Sequence, residues 1–366
     1  MWGINGLVCG VKYFFTQVST FTTQNILQMK KLLYILFLIS GTGLYAQQAP
    51  IAIVSTSGTT TLTSTLDSAA FLAQDNDIIY LPGGNIAGQT VTHFYKKVTV
   101  IGVGHNPDST SATDRTFING SIGFSTGAEG SVLDGVYVSG DVYFTSQCKI
   151  YRTNANTIQV PCYWNLATNA LISQCVVRIH LSNESSCGQI VNSKISNCII
   201  GSVPGSNFTT GHSGNIFENC VFLVPGVYGI EGASLCTFRN CTFTKITGWG
   251  GVGNNTFQNN VFATATVPPT DSSQTIPTGN YLNQNDAATF VTVPGAGYDY
   301  SNDYQIKSTS QGHNGGTDGK DVGIYGGNTP WKKGNVPPNP HIRTKNVDAT
   351  TGPGGTLRVR FNVGVQ

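Results

Sequence analysis

A six-residue motif recurs through the middle of the chain at intervals of 19 to 23 residues. Its copies are I-S-Q-C-V-V (172–177), I-S-N-C-I-I (195–200), F-E-N-C-V-F (217–222), F-R-N-C-T-F (238–243) and F-Q-N-N-V-F (257–262). One such unit is too small to bury an apolar face by itself. The period therefore predicts a solenoid, in which each unit packs against its neighbours.

The residues around the motif indicate that each copy is a short β-strand, because Gly, Ser and Asn turns flank it rather than a helical pattern. A period of this length, built from strands and turns, is typical of one coil of a right-handed parallel β-helix. We therefore predict an all-β fold, a single-stranded right-handed parallel β-helix. A short helix over 64–74, with Leu66, Ala69 and Ala73 at helical spacing, is predicted to cap the first coil and cover its strand edges.

Coils stacked about 4.8 Å apart place equivalent residues above one another. The motif cysteines are predicted to form an interior column of free thiols, because unpaired Cys packs as a small hydrophobe. The motif asparagines are predicted to form a ladder at a turn, each amide bonding to the next. Glu218 and Arg239 predict a surface ion pair between adjacent coils, and Cys162 with Cys187 is the pair to test for a disulfide. The two columns are Cys175, Cys198, Cys220 and Cys241, and Asn197, Asn219, Asn240 and Asn259.

The start of the chain predicts export. Residues 29–46 contain two lysines, an apolar run and a small-residue exit at Ala46, as in a secretory signal peptide. Residues 1–28 precede this complete leader and are interpreted as a start-codon misassignment. The apolar run is too short for a permanent anchor, so we expect a secreted, cell-surface or periplasmic protein without a transmembrane anchor once the leader is removed. Residues 47–338 are assigned to the β-helix, and 339–366 to a linker and a terminal strand over 357–365.

The composition argues against several classes of protein. The 20 basic and 18 acidic residues form no basic run, which argues against nucleic-acid binding. Disorder is disfavoured, because 39% of the residues are hydrophobic and include 18 Phe and 15 Tyr.

Three segments together carry a resemblance to a known group of proteins. The predicted helix, then D-I-I-Y-L-P-G-G (77–84) and V-T-V-I-G-V-G (98–104), followed by the Asn-Cys coils, resembles the right-handed parallel β-helix proteins of the pectin-lyase-like superfamily. The stretch 303–332 is similar to the closing segment of exported β-helix proteins of the Bacteroidetes. The resemblance covers roughly residues 50–340 and implies a fold rather than an activity, because the superfamily includes lyases, hydrolases, esterases, adhesins and tailspikes.

Candidate catalytic and metal-binding residues follow from this resemblance. Arg178 or Lys194 would act as the base of a lyase that removes a proton beside a uronate carboxylate; the alternative is that both are solvated surface residues. His212, in G-H-S (211–213), is similar to a hydrolase turn residue, but it also fits an ordinary polar turn. Asp318 and Asp321 would bind Ca²⁺, or would simply form a Gly-rich turn.

Aromatic residues that follow the motif cysteines suggest a binding surface. Tyr228 and Trp249 each lie eight residues after their cysteine, and Phe208 lies ten after its own. An outward column of these rings would stack on the apolar faces of sugars, whereas an inward column would fill the core. Glu231, a carboxylate of the same coils, is a further candidate ligand-binding residue. We therefore predict polysaccharide binding on the lateral surface without a recognisable catalytic centre; the alternatives are a divergent lyase of a uronate polymer and a structural or adhesive surface protein.

Overall fold

The structure is a computed structural model that describes residues 49–161, 166–181, 188–201, 212–226, 230–231, 233–246, 249–250, 253–265, 279–295, 297–332 and 334–365. The predicted leader, Cys162, Cys187, Phe208 and Tyr228 lie outside the described residues. Within these ranges, no helix is long and apolar enough to cross a bilayer.

The first of two long sheets begins with an antiparallel strand and continues in parallel. In spatial order its strands are Thr60–Thr63, Ile51–Val54, Ile78–Tyr80, Thr99–Ile101, Val132–Asp134, Lys149–Tyr151, Leu171–Ser173, Lys194–Ser196, Ile216–Glu218, Thr237–Arg239 and Thr256–Gln258. Ile51–Val54 is antiparallel to both of its neighbours. The motif positions Ile172, Ile195, Phe217, Phe238 and Phe257 follow one another directly in this sheet, which confirms the predicted register.

The second long sheet is parallel throughout. In spatial order its strands are Val261–Phe262, Thr242–Ile246, Val221–Gly226, Ile199–Gly201, Val176–Leu181, Asn154–Gln159, Tyr137–Val138, Thr116–Phe124 and Gly84–Phe94, with Val142–Tyr143 also pairing with Asn154–Gln159 and Thr116–Phe124. Shorter sheets consist of Leu166–Thr168, Gln189–Val191, His212–Ser213 and Ala233–Ser234, and of Ile230–Glu231 with Trp249–Gly250. Because successive coils add one strand at a time to each long sheet, the described fold is a parallel β-helix, as predicted.

Like residues stack inside the coils. Phe238 lies between Phe217 and Phe257, with ring centroids 4.7 and 5.1 Å away and nearly parallel planes. The four motif cysteines are fully buried and unpaired, which confirms the predicted thiol column. Burial raises the pKa of Cys198, so its thiol stays protonated and suits an apolar interior.

The predicted helix caps the first coils. It spans Leu66–Leu72, and its N-cap residue Thr65 accepts a hydrogen bond from the backbone N–H of Ser68. Leu66 and Ala69 are buried in the core of the solenoid. A second, four-residue helix, Asp286–Thr289, follows the last coil.

A covering segment, residues 290–331, folds back over the outer face of the second sheet. Its apolar residues and outward residues of three strands share one buried cluster: Phe290, Tyr304, Ile324 and Trp331 with Val176, Ile199, Val221 and Leu223. These strands therefore bury apolar side chains on both faces, inward against the core and outward against the covering segment.

The asparagine ladder binds this covering segment, and the prediction that each amide bonds to the next is wrong. All four residues adopt the left-handed backbone conformation, with φ between 51° and 55°, as the turn between the two long sheets requires. Their amides face the backbone of the covering segment, whose carbonyls need donors. The Nδ2 atom of Asn197 donates to the carbonyls of Ile324 and Gly326, that of Asn219 to Gly323 and Asp321, that of Asn240 to the Thr317 hydroxyl, and that of Asn259 to Gly315.

The glycines of the covering segment allow this close approach. A Cβ atom at Gly326 would lie 2.4 Å from Nδ2 of Asn219, and Gly327 adopts a φ of 77° beside the same amide. Gln174, one coil before the ladder, extends the contact by donating from Nε2 to the Pro330 carbonyl at 2.8 Å. Five consecutive turns thus hold the covering segment.

The end of the chain forms an antiparallel hairpin of His341–Val347 and Val359–Gly364, joined through a 3-10 turn at Pro353–Gly355. The terminal strand predicted over 357–365 is therefore present, but it pairs with a strand inside the predicted linker. Before the hairpin, Pro337 packs on the coils, with its Cγ atom 2.1 Å from where a Cβ atom at Gly135 would be.

Candidate functional site

An open cleft of about 490 Å³ lies between Tyr300 of the covering segment and the first strands of the second sheet. It is lined by Gly84, Asn85, Pro107, Asp114, Arg115, Phe117 and Tyr300. Phe117 lies in Thr116–Phe124 between buried neighbours, so strand alternation turns its ring outward. Tyr137 is its partner in the next coil.

The two rings form a stacked pair. Phe117 and Tyr137 have centroids 5.1 Å apart and planes 11° apart, and both side chains are half-buried. Ile118 and Val138, which follow them, are buried in the core and fix the orientation of both strands. The pair is thus a rigid aromatic surface at the edge of the cleft.

Two guanidinium groups lie against this ring pair. The guanidinium carbon of Arg115 is 4.2 Å from the centroid of Tyr137, and that of Arg178 is 4.5 Å from it. Both distances are in the range of cation–π contacts. Among the described residues, neither arginine forms a salt bridge, and Asp114 is the one carboxylate that lines the cleft. The site therefore has an excess of positive charge.

Arg178 is held by several acceptors. Its Nε and Nη2 atoms donate to Oδ1 of Asn156 at 3.1 and 2.7 Å, Nη1 donates to Oδ1 of Asn154, and Nη2 also donates to the carbonyls of Val138 and Ser139. Burial lowers the pKa of Arg178, and Arg115 adds to this effect, while Tyr137 and Asp141 oppose it. Arg178 thus contributes fixed positive charge and positions two asparagines.

Tyr300, in the covering segment, forms one side of the cleft, and a buried hydrogen-bond network holds its side chain in place. Its hydroxyl donates to the carbonyl of His105 and accepts from Nδ2 of Asn154, both at 3.0 Å. Nδ1 of His105 lies 3.0 Å from the same hydroxyl, and Nε2 lies 2.9 Å from Nδ2 of Asn335. Burial lowers the pKa of His105 to about 3 and raises that of Tyr300 to about 12, so both groups are neutral near pH 7.

Because His105 is neutral, its hydrogen-bond partners determine which ring nitrogen carries the proton. The Asn335 amide nitrogen can only donate, so Nε2 of His105 accepts and Nδ1 carries the proton, which it donates to Tyr300. Fully occupied in this way, His105 fixes the position of the Tyr300 ring beside Arg115.

The three predicted catalytic residues lie on three different sheets. Arg178 lies beside the cleft on the second sheet, Lys194 lies on the first, and the backbone of His212 begins a strand of the third. Nζ of Lys194 is 2.6 Å from Oε2 of Glu218. The structure therefore does not bring these residues together.

Glu218 also confirms the predicted ion pair. Its Oε1 lies 2.8 Å from Nε of Arg239. Burial opposes ionisation of Glu218, but Lys194 and Arg239 outweigh burial and lower its pKa. Lys194 thus belongs to a half-exposed charge network that links three coils.

The predicted aromatic column has a different register from the one expected. The backbone of Trp249 pairs with Ile230 and that of Gly250 with Glu231, so an equal distance from the cysteines does not place residues at the same level. An irregularity between Leu223 and Gly226 lengthens one coil relative to the next. Phe208 and Tyr228 lie outside the described residues, and ligand binding by Trp249 and Glu231 stays a prediction.

The carboxylates proposed for calcium make local contacts in a Gly-rich turn. Oδ1 of Asp321 lies 2.8 Å from Nδ1 of His313 and accepts the backbone N–H of Asn314 at 2.9 Å. Oδ1 of Asp318 accepts the backbone N–H of Lys320. Within the described ranges, no three His, Cys, Asp or Glu side chains are grouped so that they could hold a metal ion. Calcium binding stays a prediction.

Comparisons with known proteins identify no relative: no family profile, curated protein or solved structure matches the chain. Sequence reasoning missed Arg115, Phe117 and Tyr137, because their coils lack the Asn-Cys motif, and it missed Tyr300, which lies in the covering segment outside the coils. The available signal was the alternation in R-T-F-I-N (115–119) and G-V-Y-V-S (135–139), where each aromatic residue lies between apolar or small neighbours.

Proposed function

We propose that the protein binds polysaccharide on its lateral surface, at the cleft beside Phe117 and Tyr137. The observation that carries this proposal is the half-buried ring of Phe117, which lines the open cleft and is stacked on Tyr137. Flat aromatic surfaces suit the apolar faces of sugar rings, and the polar edges of the sugars are then free for hydrogen bonds. Asn85, the strand partner of Phe117, also lines the cleft and adds a polar side chain beside the ring.

The charge of the cleft favours a polysaccharide that carries carboxylate or sulfate groups. Arg115 lines the cleft, and Arg178 adds a second positive charge against the same ring. Arginine binds carboxylate and sulfate groups through paired N–H donors, so Arg115 is the residue that we expect to contact an acidic group. The β-helix fold and the exported leader expected from the sequence agree with an extracellular glycan ligand.

Binding of acidic and neutral polysaccharides, measured by calorimetry on the purified protein, tests the proposal. We expect Tyr137→Ala to abolish binding, and Arg115→Ala to weaken acidic ligands only, with a loss that shrinks at high salt. Phe361→Ala removes a phenylalanine ring that is 56% exposed on the C-terminal hairpin and does not line the cleft, and this variant should bind normally. The proposal is wrong if no polysaccharide binds, or if Tyr137→Ala binds as well as the unmodified protein. Turnover to unsaturated products would instead support the lyase alternative.

A further inference from the structure

The outer face of the second sheet carries another pair of rings, further along the chain from the cleft. His93, Gly123 and Tyr143 are direct partners in three neighbouring strands. The rings of His93 and Tyr143 face each other across Gly123, with centroids 6.4 Å apart and planes 25° apart. Burial lowers the pKa of His93, so its imidazole is neutral near pH 7.

Resting on the function proposed above, we infer that the bound glycan runs along the strands, from Phe117 and Tyr137 to His93 and Tyr143, rather than along the axis of the β-helix. Six residues separate the two ring pairs, both from Phe117 to Gly123 and from Tyr137 to Tyr143. At about 3.3 Å per fully extended residue this separation is at most about 20 Å, and the bends at Ser139 and Gly140 shorten it, which leaves room for a short oligosaccharide.

Hydrogen-bonding side chains fill the space between the two ring pairs. Asn119 is exposed, and Ser121, Ser139 and Asn156 are partly buried beside it. Ser139 accepts the backbone N–H of Gly120 at 2.8 Å, and Ser121 accepts that of Asp141 at 2.9 Å. Each serine therefore keeps its hydroxyl hydrogen for donation to a ligand.

Glycines keep this path shallow. Gly120 and Gly140 lie among the serines, and a Cβ atom at Gly140 would be only 2.3 Å from Oγ of Ser121. A sugar chain that lies along the strands therefore meets short polar side chains between its two aromatic contacts.

The covering segment blocks a glycan from continuing along the axis of the β-helix. In the column that contains Phe117, Tyr137 and Asn154, the next residues are Val176 and Ile199. Both are buried in the cluster formed with the covering segment. A chain that continued along the axis from Tyr137 would meet Arg178 and then this packed layer.

The two ends of the path differ in charge. Arg115 and Arg178 lie at the first ring pair, whereas at the second pair His93 is neutral and the Tyr143 hydroxyl donates to the carboxylate of Asp141 at 3.4 Å. An acidic sugar is therefore expected at the Phe117 end and a neutral or less acidic contact at the His93 end.

Affinity as a function of oligosaccharide length tests this path. Calorimetry with oligomers of the best-binding polysaccharide, from disaccharide to octasaccharide, should show affinity rising until the chain reaches Tyr143. Tyr143→Ala should weaken the longest oligomer about tenfold, equivalent to about 1.4 kcal/mol, and leave the disaccharide unchanged. Asn119→Trp, a bulky substitution at an exposed site, should block long oligomers without affecting folding.

Outcomes of this test separate the two proposals. If Tyr137→Ala abolishes binding while Tyr143→Ala and Asn119→Trp bind every length normally, the path along the strands is wrong and the cleft remains the binding site. If no oligomer or polymer binds the unmodified protein, the proposed function itself is wrong. Tyr143→Phe keeps the ring and should behave as the unmodified protein, which controls for misfolding.

Discussion

Substitution of Asn219 tests whether the asparagine ladder holds the covering segment on the coils. Asn219 is fully buried, has a φ of 54°, and donates to the carbonyls of Gly323 and Asp321 at 3.1 and 3.3 Å. Asn219→Gly keeps the left-handed backbone but removes both hydrogen bonds. At about 1 kcal/mol for each bond, this variant should lose about 2 kcal/mol of unfolding free energy.

Two further variants separate backbone strain from electrostatics. Asn219→Ala adds the cost of a left-handed conformation, about 1 kcal/mol or more, for a total of about 3 kcal/mol. Asn219→Asp replaces the donor with an oxygen that faces two carbonyl oxygens, and it buries an unpaired charge. This variant should be the least stable, with a loss of about 3–5 kcal/mol.

Urea unfolding gives these free energies, and trypsin cleavage reports where the structure opens. Lys320 is exposed inside the covering segment, and Lys345 is exposed in the hairpin outside it. We expect the rate of cleavage after Lys320 to increase from Asn219→Gly through Asn219→Ala to Asn219→Asp. The rate of cleavage after Lys345 should be the same in all three variants. The role of Asn219 in holding the covering segment would be refuted by either of two results. One is that all three variants have unfolding free energies within about 0.5 kcal/mol of the unmodified protein; the other is that Asn219→Asp is as stable as Asn219→Gly.

Four other substitutions test the core, the surface and the buried histidine. Cys198→Asp should lose several kcal/mol by placing a charge in the buried thiol column, whereas Glu218→Ala should lose about 1 kcal/mol at most; equal urea midpoints would contradict this. Phe238→Ala, at the centre of a three-ring stack, should lose about 3–5 kcal/mol, and a loss below about 1 kcal/mol would show that the stack is not close-packed. Because burial lowers the pKa of His105 to about 3, the unfolded chain binds a proton below about pH 6.5 that the folded chain does not. The stability advantage of the unmodified protein over His105→Gln should therefore shrink from pH 7 to pH 4, and an advantage independent of pH would show that His105 is not buried and neutral.

The fold was predictable because like residues stack on like in successive coils. The five motif copies align in the first sheet without a register error, and the cysteines and Glu218 with Arg239 take their predicted places. Counting residues from the motif cysteines did not predict which residues pair beyond these strands. Trp249 pairs with Ile230 because the turns between strands differ in length, and a turn does not have to preserve the register of the coil.

The partner of the asparagine ladder was not predictable from the motif. Asn197 and its equivalents show that a left-handed turn recurs, but a buried amide bonds to whichever carbonyl is nearest. Those carbonyls belong to residues 315–326, more than 50 residues away in sequence from each ladder asparagine. The Gly-rich composition of that segment is a signal of close backbone approach, but it does not identify what is approached.

The candidate site lies where it does because of how far the covering segment reaches. The ladder binds that segment from Asn259 back to Gln174, and its apolar residues bury the outer face of the coils from Val176 onward. The earlier coils keep an open outer face, and Phe117 and Tyr137 lie on it. Tyr300 borders that opening and is held there by His105 and Asn154. Substitutions that release the covering segment should therefore weaken glycan binding through displacement of Tyr300, even though the ladder asparagines are remote from the rings.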